Sequence, residues 1–307
     1  MSQTTNPPPT GGPPQEPPAP ERVREPAPTR VRRALRESPM LTLGLILVGV
    51  HVIVALLAPL ITSYDPTQAR PAEALYGMTA EHWLGTDQYG RDVLTRTIWG
   101  GRYALGVAFL ATTVAVALGT LIGVTTAYLR GWFDLVLMRI VDAMLSIPTI
   151  LSLLVIVTVF GNGLPVIVLA VTIIYTPAVI RVVRGAASTV VPLDFVTAAR
   201  ARGEGTLSIV TREILPSIPG VVLVEYAMRA SWVILLVSTL SFLGFGANPP
   251  TPDWGLMISE GRTALTVVPL ATLAPIVALA TLVIGLSTLA DGLSGRLGVD
   301  RLQRGAA

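Results

Sequence analysis

The stretch PLDFVTAARARGEGTLSIVTREILP, residues 192–216, is the longest polar break in the second half of an otherwise apolar chain. Its pattern predicts two short helices with a glycine turn between them. Pro192 and Asp194 start the first helix, because proline suits a first turn and an acid there meets the positive end of the helix dipole. Arg200 and Arg202 fall in its last turn, where cations are favoured, and Gly203 supplies a left-handed stop. Thr206 can cap the second helix and Pro216 ends it. Ala198, Ala199 and Gly203 are small, so another surface can approach this backbone closely. A plain amphipathic loop between two membrane spans has the same spacing, and these residues alone leave both readings open.

The rest of the chain says membrane. Of its 307 residues, 51% are hydrophobic and 13% charged, against about 25% charged in a soluble domain. The apolar residues come in long runs, as crossings require. Cysteine is absent, which excludes disulfides and thiolate chemistry. All 22 basic residues are arginine, so there is no P-loop lysine and no Schiff-base lysine. Two histidines, His51 and His82, are too few for a histidine-rich metal site. The arginines sit at the edges of apolar runs rather than forming a nucleic-acid surface.

Residues 1–37 are rich in proline, threonine and glutamate and lack the apolar residues that offset ordering entropy, so they read as a disordered cytoplasmic tail. Residues 38–103 hold the first span, Met40 to Ile61, and a polar external segment. In that segment Asp87, Arg91, Asp92 and Arg96 predict an amphipathic helix with two i,i+4 pairs, flanked by Trp83, Trp99 and Tyr103 as interface aromatics. Residues 104–290 form a five-helix core around the polar break. Its spans run from Ala104 to Tyr128, Ile140 to Phe160, Leu164 to about Val183, Val221 to about Phe245, and Pro269 to Leu289. Gly106, Gly119 and Gly123 are expected at helix contacts. Residues 291–307 form a C-terminal tail. With the N-terminus inside, inner segments hold 16 arginines and outer segments 5, which places both termini and residues 192–216 in the cytoplasm.

Three stretches carry a family resemblance. Residues 192–216 resemble the "EAA" loop of permease subunits in binding-protein-dependent ABC importers. Ala198, Ala199, Gly203, Leu215 and Pro216 fall at the matching places, while Thr197 replaces the pattern's glutamate and Glu213 stands where isoleucine is usual. LGTDQYGRD (84–92), with Gly85, Asp87, Gly90, Arg91 and Asp92, resembles the segment after the first span in C-type permeases of peptide and nickel importers. SFLGFGANPPTPDWG (241–255), with Gly244, Gly246, Pro249, Pro250 and Trp254, resembles an external run of the same group, and Trp254 in it suits a membrane interface.

The resemblance implies an all-α, polytopic type I ABC importer permease with six transmembrane helices, in the bacterial inner membrane. It makes residues 192–216 the coupling helix, with Asp194, Ala198, Ala199, Arg200, Gly203, Leu215 and Pro216 at the ATPase contact. It implies four partners besides lipid: a second homologous permease, two cytoplasmic ATPase subunits and an extracytoplasmic substrate-binding protein. ATP and magnesium would be bound by the ATPases, leaving no catalytic, cofactor or metal site in this chain. Peptides are the expected cargo, with nickel chelates or glutathione-like solutes as alternatives.

Charges inside the spans are the remaining candidates. Glu225 and Arg229 share a helix face, either as a mutual ion pair or as a gate or substrate contact. His51 lies in the middle of the first span and is expected to be neutral and bonded to a neighbouring helix. Asp142 should sit at the membrane interface. Asp87 and Asp92 could form a catalytic carboxylate pair, but each has its own arginine four residues on. An intramembrane hydrolase would need one of Ser146, Ser152, Ser231, Ser238 or Ser241 beside a base, and His51 is the only histidine within a span. An ion-coupled secondary transporter would be expected to carry an internal repeat, and none is visible.

Overall fold

The computed structural model describes residues 38–297. The predicted tail at 1–37 lies outside that range, as do residues 298–307 of the predicted C-terminal tail. Residues 291–297 are not tail but continue the last helix, Leu270–Leu297. Among the described residues, five helices are long and apolar enough to cross a membrane, and a bent helix pair makes up to six.

Helix α1 is Pro39–Ile61. Ser38 starts it by accepting a hydrogen bond from the Leu41 amide at 3.4 Å. Helix α2 is Val93–Leu129, 37 residues, about 55 Å long and well beyond the ~30 Å apolar layer. It begins eleven residues before the predicted Ala104, because the Asp92 carboxylate caps it by accepting from the Thr95 amide at 2.7 Å. The separate amphipathic helix predicted around Asp87–Arg96 therefore does not form. Asp87 and Arg91 still pair, but within a turn, and Asp92 is used as a cap rather than as a partner of Arg96.

The predicted span from Ile140 to Phe160 is two helices, α3 (Gly131–Leu145) and α4 (Thr149–Phe160), bent by 85°. Pro148 lies at the break and has no amide to continue the ladder. Asp142 belongs to the last turn of α3, is exposed, and pairs with Arg181 of α5 (Leu164–Val190). A second bridge joins Asp134 of α3 to Arg184 of α5 at 2.5 Å.

The polar break holds α6 (Asp194–Ala201), a single turn at Thr206–Ser208, a π-helix at Ile209–Ile214 and a 3-10 turn at Leu215–Ser217. Helix α7 (Pro219–Phe242) follows, then the short α8 (Trp254–Gly261) and finally α9 (Leu270–Leu297). Helix α2 packs chiefly on α5 and α7, and α9 on α1 and α7.

Small residues set the closest approaches. A Cβ on Gly119 would lie 2.6 Å from the Val179 Cβ, and one on Gly123 would lie 2.9 Å from the Ile180 carbonyl. Both therefore mark the α2–α5 contact, as expected. Gly106 does not, since no atom lies within 4 Å of that position. Two large buried clusters result. One fills the centre of the bundle around Ala111, Val171, Ile234 and Leu282. The other joins α2 and α5 to the polar break through Val124, Val183, Val196, Ala199 and Ile214.

Candidate functional site

Two assemblies stand out, one at each end of the bundle. The first is the polar break. In α6, Val196 and Ala199 are fully buried, three residues apart on one face. Ile209, Val210 and Ile214 bury the second half of the segment. Gly203 adopts φ +78°, and the Glu204 amide donates to the Ala199 carbonyl at 3.2 Å, closing the helix with a left-handed residue as predicted. Arg202 lies just past the last helical residue and bonds Glu204 at 2.7 Å; that contact holds the Glu204 carboxyl below its usual range. Arg200 lies over the Tyr128 ring at 4.5 Å.

Three details differ from expectation. Leu193 rather than Pro192 occupies the cap position of α6, and Gly205 rather than Thr206 precedes the second turn. Pro216 does not end an α-helix but sits in the 3-10 turn that leads into α7. Ala199 faces the protein's own core, so its small side chain serves internal packing. The outward face carries Asp194, Ala198, Arg200 and Gly203 together with the apolar Leu193, Phe195 and Leu207, which are 46%, 40% and 69% exposed. A polar, charge-bearing segment that leaves three large apolar side chains exposed among the described residues has the composition of a protein contact.

The second assembly brings together residues 84–92 and 241–255, the two runs expected on the external side, which lie some 150 residues apart in sequence. The Asp87 carboxylate accepts from the amides of Tyr89 and Arg91 and from Arg91 Nε at 2.6 Å. Arg91 Nη2 reaches Glu260 of α8 at 2.6 Å. Arg96, with no exposed surface, donates from Nη1 to the carbonyls of Pro66 and Pro250 at 3.0 and 3.2 Å. It also lies 3.5 Å from both Asp87 and Glu260.

Gly85, Gly90 and Gly244 all have positive φ and shape the turns. Gly246 packs against Ser241. Trp254 is buried rather than at an interface: its Nε1 donates to the Thr97 carbonyl at 2.8 Å, and its ring lies on Gly100 and Gly101. Asp253 caps α8 through the Leu256 amide at 2.9 Å, and burial pushes its carboxyl up to about 6. His82 places Nδ1 2.9 Å from Asp92 and Nε2 3.4 Å from Glu73. Asp87 and Asp92 are thus consumed by arginine, histidine and backbone, and form no free carboxylate pair.

Glu260 and Asp253 are the members that sequence reasoning missed; their only signal was charge in a run that is otherwise small and apolar. Arg96 was expected in a separate amphipathic helix and His82 was noted only as one of two histidines, so their place in this cluster was missed as well.

Within the spans, Arg229 donates to Glu225 Oε1 from Nε at 2.6 Å and from Nη2 at 2.5 Å, so the mutual ion pair exists. Arg229 also lies 5.9 Å from the Tyr175 ring centre. His51 Nδ1 is 2.8 Å from the Leu47 carbonyl and Nε2 is 3.1 Å from the Ala278 carbonyl on α9, which is the neighbouring-helix contact expected of it. Among the described residues no group of three or more metal-ligating side chains comes together.

Comparison with known proteins agrees with this arrangement. Residues 119–299 match the family described as binding-protein-dependent transport system inner membrane component. Residues 29–77 match the N-terminal transmembrane domain of oligopeptide transport permease C. The chain is 34% identical to the dipeptide transport system permease protein DppC of Alkalihalophilus pseudofirmus, over 92% of this chain and 94% of that protein. It is 34% identical to the glutathione transport system permease protein GsiD of Shigella dysenteriae serotype 1, over 91% and 92% of the two chains. Against GsiD of Pectobacterium atrosepticum the identity is 33%, over 87% and 88%. Among the described residues, an all-helical bundle of five or six candidate crossings fits that match along nearly the whole length. The chain is a multi-pass membrane permease subunit and belongs to the binding-protein-dependent transport system inner membrane component family.

Proposed function

We propose that this chain forms half of the translocation path of an ATP-driven importer for peptides, of the dipeptide or oligopeptide class. Residues 192–216 are its contact with the motor. The carrying observation is the build of that segment. Val196, Ala199, Ile209 and Ile214 lock it into the bundle, while Leu193, Phe195 and Leu207 face outward, uncovered among the described residues. An element fixed on one side and apolar on the other suits passing a partner's movement into the spans.

The partners are two cytoplasmic ATPases, a second permease and an extracytoplasmic binding protein. ATP and magnesium belong to the ATPases, consistent with a chain that has no lysine for a P-loop. The arginine distribution supports a cytoplasmic position for the segment and for both termini. Peptide cargo is supported by the dipeptide relative, and a glutathione-like tripeptide by the GsiD relatives.

The test is Gly203→Asp in the complete importer, reconstituted with its binding protein and fed radiolabelled dipeptides or glutathione. The substituted chain should insert and co-purify with the second permease. ATP hydrolysis should persist while uptake falls by about tenfold or more, a loss of roughly 1.4 kcal/mol in coupling. Normal uptake by this variant would refute the assignment.

A further inference from the structure

Between α2 and α7 lies a groove of about 400 Å³, within the ~300–1,000 Å³ usual for small-ligand sites. Ala117 and Leu121 of α2 form one wall and Val222 and Tyr226 of α7 the other, and Val210 and Leu215 of the polar break contribute to the lining. The lining is almost wholly apolar, with a few placed hydroxyls. Thr113 Oγ1 and Tyr226 OH, 3.1 Å apart, bridge its two walls. Thr120 also lines it, as a residue only 5% exposed whose hydroxyl is itself buried.

Glu225 and Arg229 do not line the groove but adjoin its lining residues Val222 and Tyr226 along α7. Val222, Glu225, Tyr226 and Arg229 are spaced three, one and three apart, so they form one stripe along α7. Arg229 holds only Oε1 of Glu225. Among the described residues Glu225 Oε2 and Arg229 Nη1 make no hydrogen bond, so each group keeps one edge for another partner. Paired charges inside a membrane bundle are costly and mark ligand paths more often than lipid-facing surfaces. A negative and a positive edge on one helix stripe complement the ammonium and carboxylate of a short peptide.

We propose that this groove seats an apolar side chain of the transported peptide, with Glu225 and Arg229 receiving its charged ends. The assignment rests on the peptide reading given above. It also ties cargo to motor, because Val210 and Leu215 belong to the segment that would meet the ATPases, so movement of that segment reshapes the groove.

The chain has no cysteine, which makes a single thiol a clean reporter. Ala117→Cys is introduced into the complete importer, and modification by a small methanethiosulfonate reagent is followed by mass on this subunit. Dipeptide uptake by the unsubstituted importer is measured in parallel. The thiol should react in the assembled complex. Saturating leucyl-leucine should slow that reaction about tenfold or more, and glycyl-glycine much less.

Three outcomes overturn the proposal while peptide uptake stays intact. In the first, the thiol reacts in the isolated subunit but not after assembly, which means that the second permease fills the groove. In the second, no dipeptide changes the rate, as expected of a groove filled by lipid. In the third, glycyl-glycine protects as well as leucyl-leucine, so side chains do not enter. If the unsubstituted importer takes up no dipeptide, the peptide reading itself fails and the groove assignment falls with it.

Discussion

Arg96 has no exposed surface and yet touches four separate pieces of chain: Pro66, Asp87, Pro250 and Glu260. Its neighbours include two carboxylates that are themselves largely buried. Removing the guanidinium would leave those carboxylates and two carbonyls short of a partner, which typically costs about 3–5 kcal/mol. Arg96→Met should therefore lower the melting temperature of the detergent-solubilised chain sharply, whereas Arg262→Met, at an exposed position, should leave it nearly unchanged. Equal melting of the two variants would show that the collar is not a stabilising keystone.

Asp253 gives a second residue-scale expectation. Burial lifts its carboxyl from the ordinary 3.8 to about 6, against the opposing pull of the Leu256 amide. The folded protein thus binds a proton more readily than the unfolded chain does. This contribution to stability is complete below about pH 4 and is lost as pH rises to about 6, a change of roughly 3 kcal/mol. Asparagine caps a helix about as well as aspartate. Asp253→Asn should keep α8 and flatten the stability profile between pH 4 and 6, as read by thermal melts across that range. An unchanged slope would assign the dependence elsewhere.

At the scale of elements, glycine separates contact from surface. Gly119 lies against Val179, whereas Gly106 has open space where a side chain would go. Gly119→Val should push α2 off α5 and abolish folded yield. Gly106→Ala should be neutral or stabilise α2 by up to about 1 kcal/mol, because glycine is the poorer helix former. Yield and melting temperature read both, and loss of fold at Gly106 would contradict the packing described.

The same pair explains what was legible in the sequence. Apolar length found every crossing, because a span is defined by composition over some 20 positions. It set both ends closely only for Pro39–Ile61 and Pro219–Phe242. Val93–Leu129, the bent pair from Gly131, Leu164–Val190 and Leu270–Leu297 each run well past one predicted end. A glycine's neighbour is not encoded locally, so Gly106 and Gly119 looked alike. Ends were misread where a tertiary contact decided them. Asp92 and Arg96 have helical spacing, but the partners that claim them are His82 and the distant Glu260. Trp254 looked like an interface residue because tryptophan usually is one in membrane proteins; here Gly100 and Gly101 make room for its ring. The polar break was legible because its signals are local, a left-handed glycine and small residues; its prolines misled, since Leu193 occupies the cap position of α6 and Pro216 lies in a 3-10 turn.

At the scale of the whole molecule, the bent pair α3–α4 decides the topology. If it crosses, there are six crossings and residues 192–217 lie opposite the external segment at 62–92. If it turns back, there are five, and both segments lie on the same side. The 85° bend alone fits either. The contacts at the end of α4 choose between them. Asn162 Nδ2 donates to the Gly246 carbonyl at 3.0 Å and to Asn248 Oδ1 at 2.7 Å. Residues 246–250 in turn meet Arg96, which joins Asp87 of the external segment. The end of α4 therefore sits with the collar around Arg96. The start of α3 follows α2 directly, at the far end of a helix about 55 Å long. A chain that begins at one end and finishes at the other has crossed. Two single cysteines test this in a chain that otherwise has none, with Met78→Cys in the external segment and Ser217→Cys at the end of the polar break, both exposed positions. A membrane-impermeant thiol reagent should label the first in intact cells and the second only after permeabilisation. Labelling of both from outside would mean that the bent pair does not cross, and the polar break could then meet no cytoplasmic motor.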